Sequence, residues 1–143
     1  MKLRALVIDD SRVMRSMVMQ ELRRSGLAEF EFTEAEDGAD AVKKFHPGKI
    51  DIAFIDWNMP NMSGIEFVRR VRAMGKTEHI PLIMVTSEKT VGKVEEALDD
   101  AGANAFISKP FTPEILDRKL APLIKDIEAR SSSRGGFFSK LMK

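Results

Sequence analysis

The chain has 143 residues, 43% hydrophobic and 31% charged, with a formal net charge of +1. This is the size and balance of one globular domain with a sizeable core, and the near-neutral charge carries no signature of a nucleic-acid binder. Cysteine is absent, which excludes disulfides and thiol chemistry. The start, Met1 to Asp9, is too short in apolar residues for a signal peptide, and no run reaches the length of a transmembrane helix. The expectation is a cytoplasmic, monomeric protein with neither a membrane nor a nucleic-acid partner.

Short apolar runs alternate with amphipathic stretches of helical length. The first run, Leu3–Ile8, ends in Asp9-Asp10 and is followed by a helix over Ser11–Ser25, with Ser11 as its cap. Phe30–Glu34 reads as the second strand, and Asp37-Gly38 as the turn into a short helix, Ala39–Phe45. After Pro47-Gly48 the third run, Ile52–Ile55, ends in Asp56 and leads to a helix over Gly64–Met74. Leu82–Val85 and Ala105–Ser108 are the remaining strands, separated by a helix over Lys89–Ala101. Thr112 before Pro113 marks the start of a last helix, Pro113–Ala129. Gly26, Gly75 and Gly102 follow helices, where a left-handed cap residue belongs. Pro122 lies about two turns inside the last helix and predicts either a kink or an early end followed by a second short helix. This alternation calls for an α/β fold, a doubly wound parallel sheet with right-handed crossovers.

The composition changes after Arg130. Ser131 to Gly136 reads as a flexible linker, and Phe137 to Lys143 as a short apolar tail. The domain is therefore placed at 1–130 and the tail at 131–143. A docking peptide, a turn folded back on the domain, the start of a further segment and a disordered end are all open for the tail. Five arginines, Arg23, Arg24, Arg69, Arg70 and Arg72, are read as solvated helix faces, and Met17 as a core residue. His46 and His79 fall in surface loops, with no metal spacing. Trp57 is read as a reporter of the neighbouring site with no chemistry of its own.

The chemistry lies at strand ends. In open parallel sheets the loops after the strands form the site. If the runs ending at Ile8 and Asp56 are neighbouring strands, Asp9, Asp10 and Asp56 converge on one edge. Three close carboxylates repel each other and call for a cation, and an all-oxygen set points to Mg²⁺. Two further runs end in Thr86 and Lys109, which brings a hydroxyl and an ammonium to the same edge. That set suits phosphoryl transfer to Asp56. A carboxylate serves as the nucleophile, and the rest position and neutralise charge.

Asp9-Asp10, the stretch from Asp56 to Gly64 (Asp-Trp-Asn-Met-Pro-Asn-Met-Ser-Gly), Thr86 and Lys109-Pro110 form an ordered set over about residues 3 to 129. The chain thereby resembles the receiver domains of two-component response regulators, and in particular the single-domain chemotaxis type. The resemblance implies a flavodoxin-like fold of five βα units with strand order 2-1-3-4-5. It implies Asp56 as phosphoacceptor, and Asp9, Asp10, Asp56 and the backbone carbonyl of Asn58 as Mg²⁺ ligands. Lys109 and Thr86 would contact the phosphoryl group, with Thr86 and Phe106 as the coupled switch pair. Asn58 and Glu88 would tune dephosphorylation, and Pro110 would follow a cis bond. A histidine kinase or phosphotransfer protein would be the donor. Output would pass to a protein target, such as a flagellar motor switch, on the face of the fourth helix, fifth strand and fifth helix.

Some residues depart from the pattern. Phe106 lacks the phenol hydroxyl of the tyrosine common in chemotaxis members. Pro122 lies on the output-face helix. An aspartate-nucleophile phosphatase needs a second aspartate two residues after the nucleophile, and Asn58 stands there. The chain is thus not expected to be an enzyme beyond its own phosphorylation and dephosphorylation. A phosphate sink, or a receiver belonging to a larger regulator, remains an alternative.

Overall fold

A computed structural model describes residues 2–57, 59–86, 101–108 and 112–142, with backbone alone for Thr86 and for 131–142. The elements in order are β1 (Lys2–Ile8), α1 (Arg12–Ser25), β2 (Glu29–Ala35), α2 (Gly38–Lys44), β3 (Ile52–Asp56), α3 (Gly64–Ala73), β4 (Leu82–Thr86), β5 (Ala105–Ser108) and a C-terminal helix (Pro113–Met142). The strands form one parallel sheet in the order β2-β1-β3-β4-β5. The fold is the doubly wound α/β sheet expected from the sequence, and most element boundaries agree to within one residue. Residues 89–100 of the predicted fourth helix lie outside the described residues.

The sheet separates two cores. On one face Leu6, Ile8, Ala53, Ile55, Leu82 and Met84 pack with Phe67, Val68 and Val71 of α3. On the other Leu3, Ala5, Val7, Ile52, Phe54 and Ile83 pack with Val18 and Leu22 of α1 and with Leu116, Leu120 and Ile124 of the C-terminal helix. The apolar residues of the inner strands, Leu3 and Ala5–Ile8 of β1, Ile52–Ile55 of β3 and Leu82–Val85 of β4, are buried on both faces, which is why these runs read as continuously apolar.

Helix ends follow local chemistry. The Ser11 hydroxyl accepts from the Met14 N–H (3.3 Å), Asp37 accepts from Asp40 (2.7 Å), and Thr112 accepts from Ile115 (3.3 Å). Gly26 ends α1 at φ +70°, where a side chain would be strained.

Three expectations require correction. Met17 is half exposed, and Met19 is the methionine that packs against the core. Val18 and Leu22 fix the inward face of α1, and Met17 is one residue, about 100°, round from Val18. Arg72 is no solvated residue. Its guanidinium donates to the carbonyls of Thr77 (2.5 Å), Ile80 (3.0 Å) and Gly102 (3.0 Å) and to Asn104 Oδ1 (2.7 Å). Burial holds its pKa below the usual arginine value. The last helix neither ends at Pro122 nor stops at residue 129. Its backbone is helical to Met142, through the Ser/Gly stretch read as linker. Pro122 removes one internal hydrogen bond, to the Arg118 carbonyl, and the turns on either side, anchored by Leu116, Leu120 and Ile124, carry the helix past it.

Candidate functional site

The register of the sheet builds the site. Ile8 of β1 pairs with Ile55 of β3, so Asp9 and Asp56 emerge side by side. Asp56 pairs with Val85, and Thr86 with Ser108, so the ends of β4 and β5 reach the same edge. The β1–β3 register is pinned at the opposite end by Asp51. Its carboxylate accepts from the Arg4 backbone N–H (2.8 Å), Nε (3.1 Å) and Nη2 (3.1 Å), and its own N–H donates to the Arg4 carbonyl (2.8 Å). Burial opposes the charge on Asp51, but the hydrogen bonds from Arg4 and its positive charge outweigh this and hold the carboxyl below the usual carboxylate range.

Asp9, Asp10 and Asp56 each offer a carboxylate oxygen within 4.8 Å of the others. Asp9 is buried (3% exposed), Asp56 intermediate and Asp10 exposed. Asp9 is fixed on three sides. Its N–H donates to the Ala35 carbonyl (3.1 Å), its Oδ1 accepts from the Ser11 N–H (2.9 Å), and its carbonyl accepts from Arg15 Nη1 (2.6 Å). The set is all oxygen, clustered and open on one side, which fits a hard divalent cation such as Mg²⁺ and does not fit a soft one.

The loop after Asp56 is held close to the neighbouring helices. Gly64 donates to the Trp57 carbonyl (3.0 Å), and Ser63 caps α3 by accepting from Glu66 (3.3 Å). A Cβ at Gly64 would lie 2.3 Å from the Asp56 carbonyl oxygen, and one at Gly38 would lie 2.6 Å from Met62 Cβ. Asn61 stands at φ +71° beneath a Met62 N–H to Pro60 carbonyl bond of 2.8 Å, a tight three-residue turn. Trp57 is buried and meets Phe106 edge-on at 6.3 Å between ring centroids. Phe106 is itself partly buried against the α3-side core.

Of the residues singled out from the sequence, Asp9, Asp10 and Asp56 are brought together. Phe106 lies on β5 against Trp57, and the Thr86 backbone ends β4 at the same edge. Asn58, Glu88, Lys109 and Pro110 lie outside the described residues. His46 and His79 are exposed, as expected for loop residues. Sequence reasoning missed Arg15, which ties the acidic turn to Glu34 of β2 (3.1 Å). Its spacing, one turn after the Ser11 cap, was the available signal.

The model of the response regulator receiver domain family matches residues 5–121. The chain is 36% identical over 125 residues to the chemotaxis protein CheY of Pseudomonas aeruginosa, covering 87% of this chain and 98% of that one. It is 41% identical over 123 residues to the CheY homolog of Campylobacter jejuni, covering 85% and 92%. The solved structure of the chemotaxis response regulator CheY4 of Vibrio cholerae superposes with a TM-score of 0.72 at 34% identity, over 86% of this chain and 99% of that one. Among the described residues no helix is long and apolar enough to cross a membrane. With the parallel sheet in the order 2-1-3-4-5 and three carboxylates at its carboxyl edge, the chain belongs to the response regulator receiver family and is of the CheY-like type.

Proposed function

We propose that the protein is a phosphorylation-activated switch that takes a phosphoryl group on Asp56 with Mg²⁺ and signals by protein–protein contact in chemotaxis or motility. The observation that carries the reading is the trio Asp9, Asp10 and Asp56, with carboxylate oxygens within 4.8 Å at the edge where the strands end. Asp9, Asp10, Asp56 and the Asn58 carbonyl are the groups that would hold Mg²⁺, which when bound offsets their mutual repulsion and that of an incoming phosphoryl group. An Asp56 carboxylate oxygen forms the new P–O bond as the bond between phosphorus and a donor's histidine nitrogen breaks. Lys109 neutralises a phosphoryl oxygen, and the Thr86 hydroxyl donates to another. The recruitment of Thr86 shifts the balance between two arrangements of Phe106, and a partner reads that shift on the β5 side of the domain. Asn58 and Glu88 set how fast water removes the phosphoryl group.

The donor is a histidine kinase or phosphotransfer protein, the target is a protein such as a flagellar motor component, and the compartment is the cytoplasm. Residues 1–130 act as the receiver, and 131–143 as a C-terminal appendage to it. Trp57 is the single tryptophan in a chain without tyrosine, so its emission reports on the site. Emission should change on Mg²⁺ addition and again with beryllofluoride, and the second change should be lost in Asp56→Asn. A folded wild type silent to both additions would overturn the reading.

A further inference from the structure

Arg15 lies in the first turn and a half of α1, and its side chain is only 13% exposed. Its guanidinium spans two elements. Nη1 donates to the Asp9 carbonyl at 2.6 Å, and Nε donates to Glu34 Oε1 at 3.1 Å. The Asp9 carbonyl belongs to the peptide that joins Asp9 to Asp10, so this bond fixes the direction in which the second carboxylate leaves the first. Glu34 is held in turn from α2. Lys44 Nζ donates to the Glu34 carbonyl (2.7 Å) and to Asp40 Oδ2 (2.9 Å), and that carboxylate also accepts from the Glu36 N–H (3.2 Å). A chain of hydrogen bonds therefore runs from α2 through the end of β2 and across Arg15 to the acidic turn.

We infer that Arg15 is a positioning residue for the metal-binding acids: its fork, oriented by Glu34, holds the Asp9–Asp10 peptide so that both carboxylates stay within reach of Asp56. The inference rests on the proposal that the site binds Mg²⁺. Groups that orient ligands govern affinity because they reduce the reorganisation needed on binding. Lysine cannot replace the fork, since one ammonium on a flexible stem does not present two coplanar donors to two fixed acceptors.

Charge alone predicts the opposite sign. Arg15 is a cation near a cation site, so removing it should tighten Mg²⁺ by simple electrostatics. Positioning predicts weakening. The experiment is a Mg²⁺ titration of the full chain, followed by Trp57 emission and repeated as a Mg²⁺-induced rise in unfolding temperature. The proteins are wild type, Arg15→Met, Arg15→Lys, Glu34→Gln and the control Glu31→Gln. Glu31 pairs with Lys2 at 3.5 Å at the far end of β2, with both side chains exposed.

Arg15→Met should raise the Mg²⁺ Kd about tenfold, as loss of an outer-shell partner typically does. Arg15→Lys should fall between it and wild type, Glu34→Gln should weaken binding by a smaller factor, and Glu31→Gln should leave it unchanged. Glu34 is 45% exposed, so its variant keeps the test open even if Arg15→Met folds poorly. Tighter binding in Arg15→Met, or an unchanged Kd in both Arg15→Lys and Glu34→Gln, would overturn the inference while leaving the switch intact. A wild type that does not bind Mg²⁺ would instead overturn the proposal beneath it.

Discussion

Gly64→Ala is the substitution through which packing and function are most tightly linked. A Cβ at position 64 falls 2.3 Å from the Asp56 carbonyl oxygen, 2.9 Å from Met84 Cε and 3.1 Å from Ile55 Cγ2. The Met84 methyl ends a flexible side chain and can turn away, but the Asp56 oxygen is backbone in the middle of the sheet. Carbon–oxygen contacts settle near 3.3 Å, so α3 and the end of β3 must separate by roughly 1 Å. Overpacking of this kind costs about 3 kcal/mol, at the upper end because backbone must move. Loss of glycine's freedom in the unfolded chain returns about 1 kcal/mol. The net loss is about 2 kcal/mol, or roughly 6 °C in Tm for a domain of this size. The displaced backbone carries Asp56, the proposed phosphoacceptor, and a 1 Å misplacement slows a positioned reaction about a hundredfold. Urea unfolding and the rate of phosphorylation by a small phosphodonor should therefore fall together. Gly26→Ala is the control. Its Cβ meets nothing within 4 Å, and only its φ of +70° is unfavourable. It should cost about 1 kcal/mol and leave the phosphorylation rate alone. A Gly64→Ala protein with unchanged midpoint and rate would refute the reasoning.

Other outcomes follow from the same geometry. The Asp51 carboxyl is depressed in the folded state, so its stabilising contribution is present above the unfolded value near pH 4 and is lost as pH falls through the lower folded value. Asp51→Asn should flatten that acid limb and cost about 1 kcal/mol at neutral pH, discounted because Arg4 is 43% exposed; urea melts across pH 2 to 7 measure both. Arg72→Ala removes the guanidinium donor from the carbonyls of Ile80 and Gly102, while the Thr77 carbonyl keeps the Ile80 N–H and Asn104 Oδ1 keeps the Leu82 N–H, and should lose about 3 kcal/mol by urea unfolding. Phe106→Ala should red-shift Trp57 emission, because the indole loses its edge-on neighbour and admits water.

The sheet was legible because each inner strand is apolar on both faces and ends in an acid or a hydroxyl. The site followed from it, since parallel strands deliver their ends to one edge and Asp9 and Asp56 are the residues next after the paired Ile8 and Ile55. Contacts across elements were not legible. Arg15 and Glu34 are 19 positions apart, and only the β1–β2 pairing sets them facing. Arg72 looked like its neighbours Arg69 and Arg70, but the helical phase of α3 turns it to the segments just before β4 and β5. Met17 and Met19 are chemically alike, and the sheet below α1 decides between them. Beyond residue 130, serine and glycine have low helix propensity and read as linker, yet the backbone continues the helix that precedes them.

Phosphoryl incorporation tests the central claim most directly. Wild type and Asp56→Asn would be incubated with a small phosphodonor, with and without Mg²⁺, and the intact mass read by spectrometry. One phosphoryl group per chain, dependent on Mg²⁺ and absent from Asp56→Asn, is the expected result. Incorporation that survives in Asp56→Asn, or none in a folded wild type with Mg²⁺, would contradict the account.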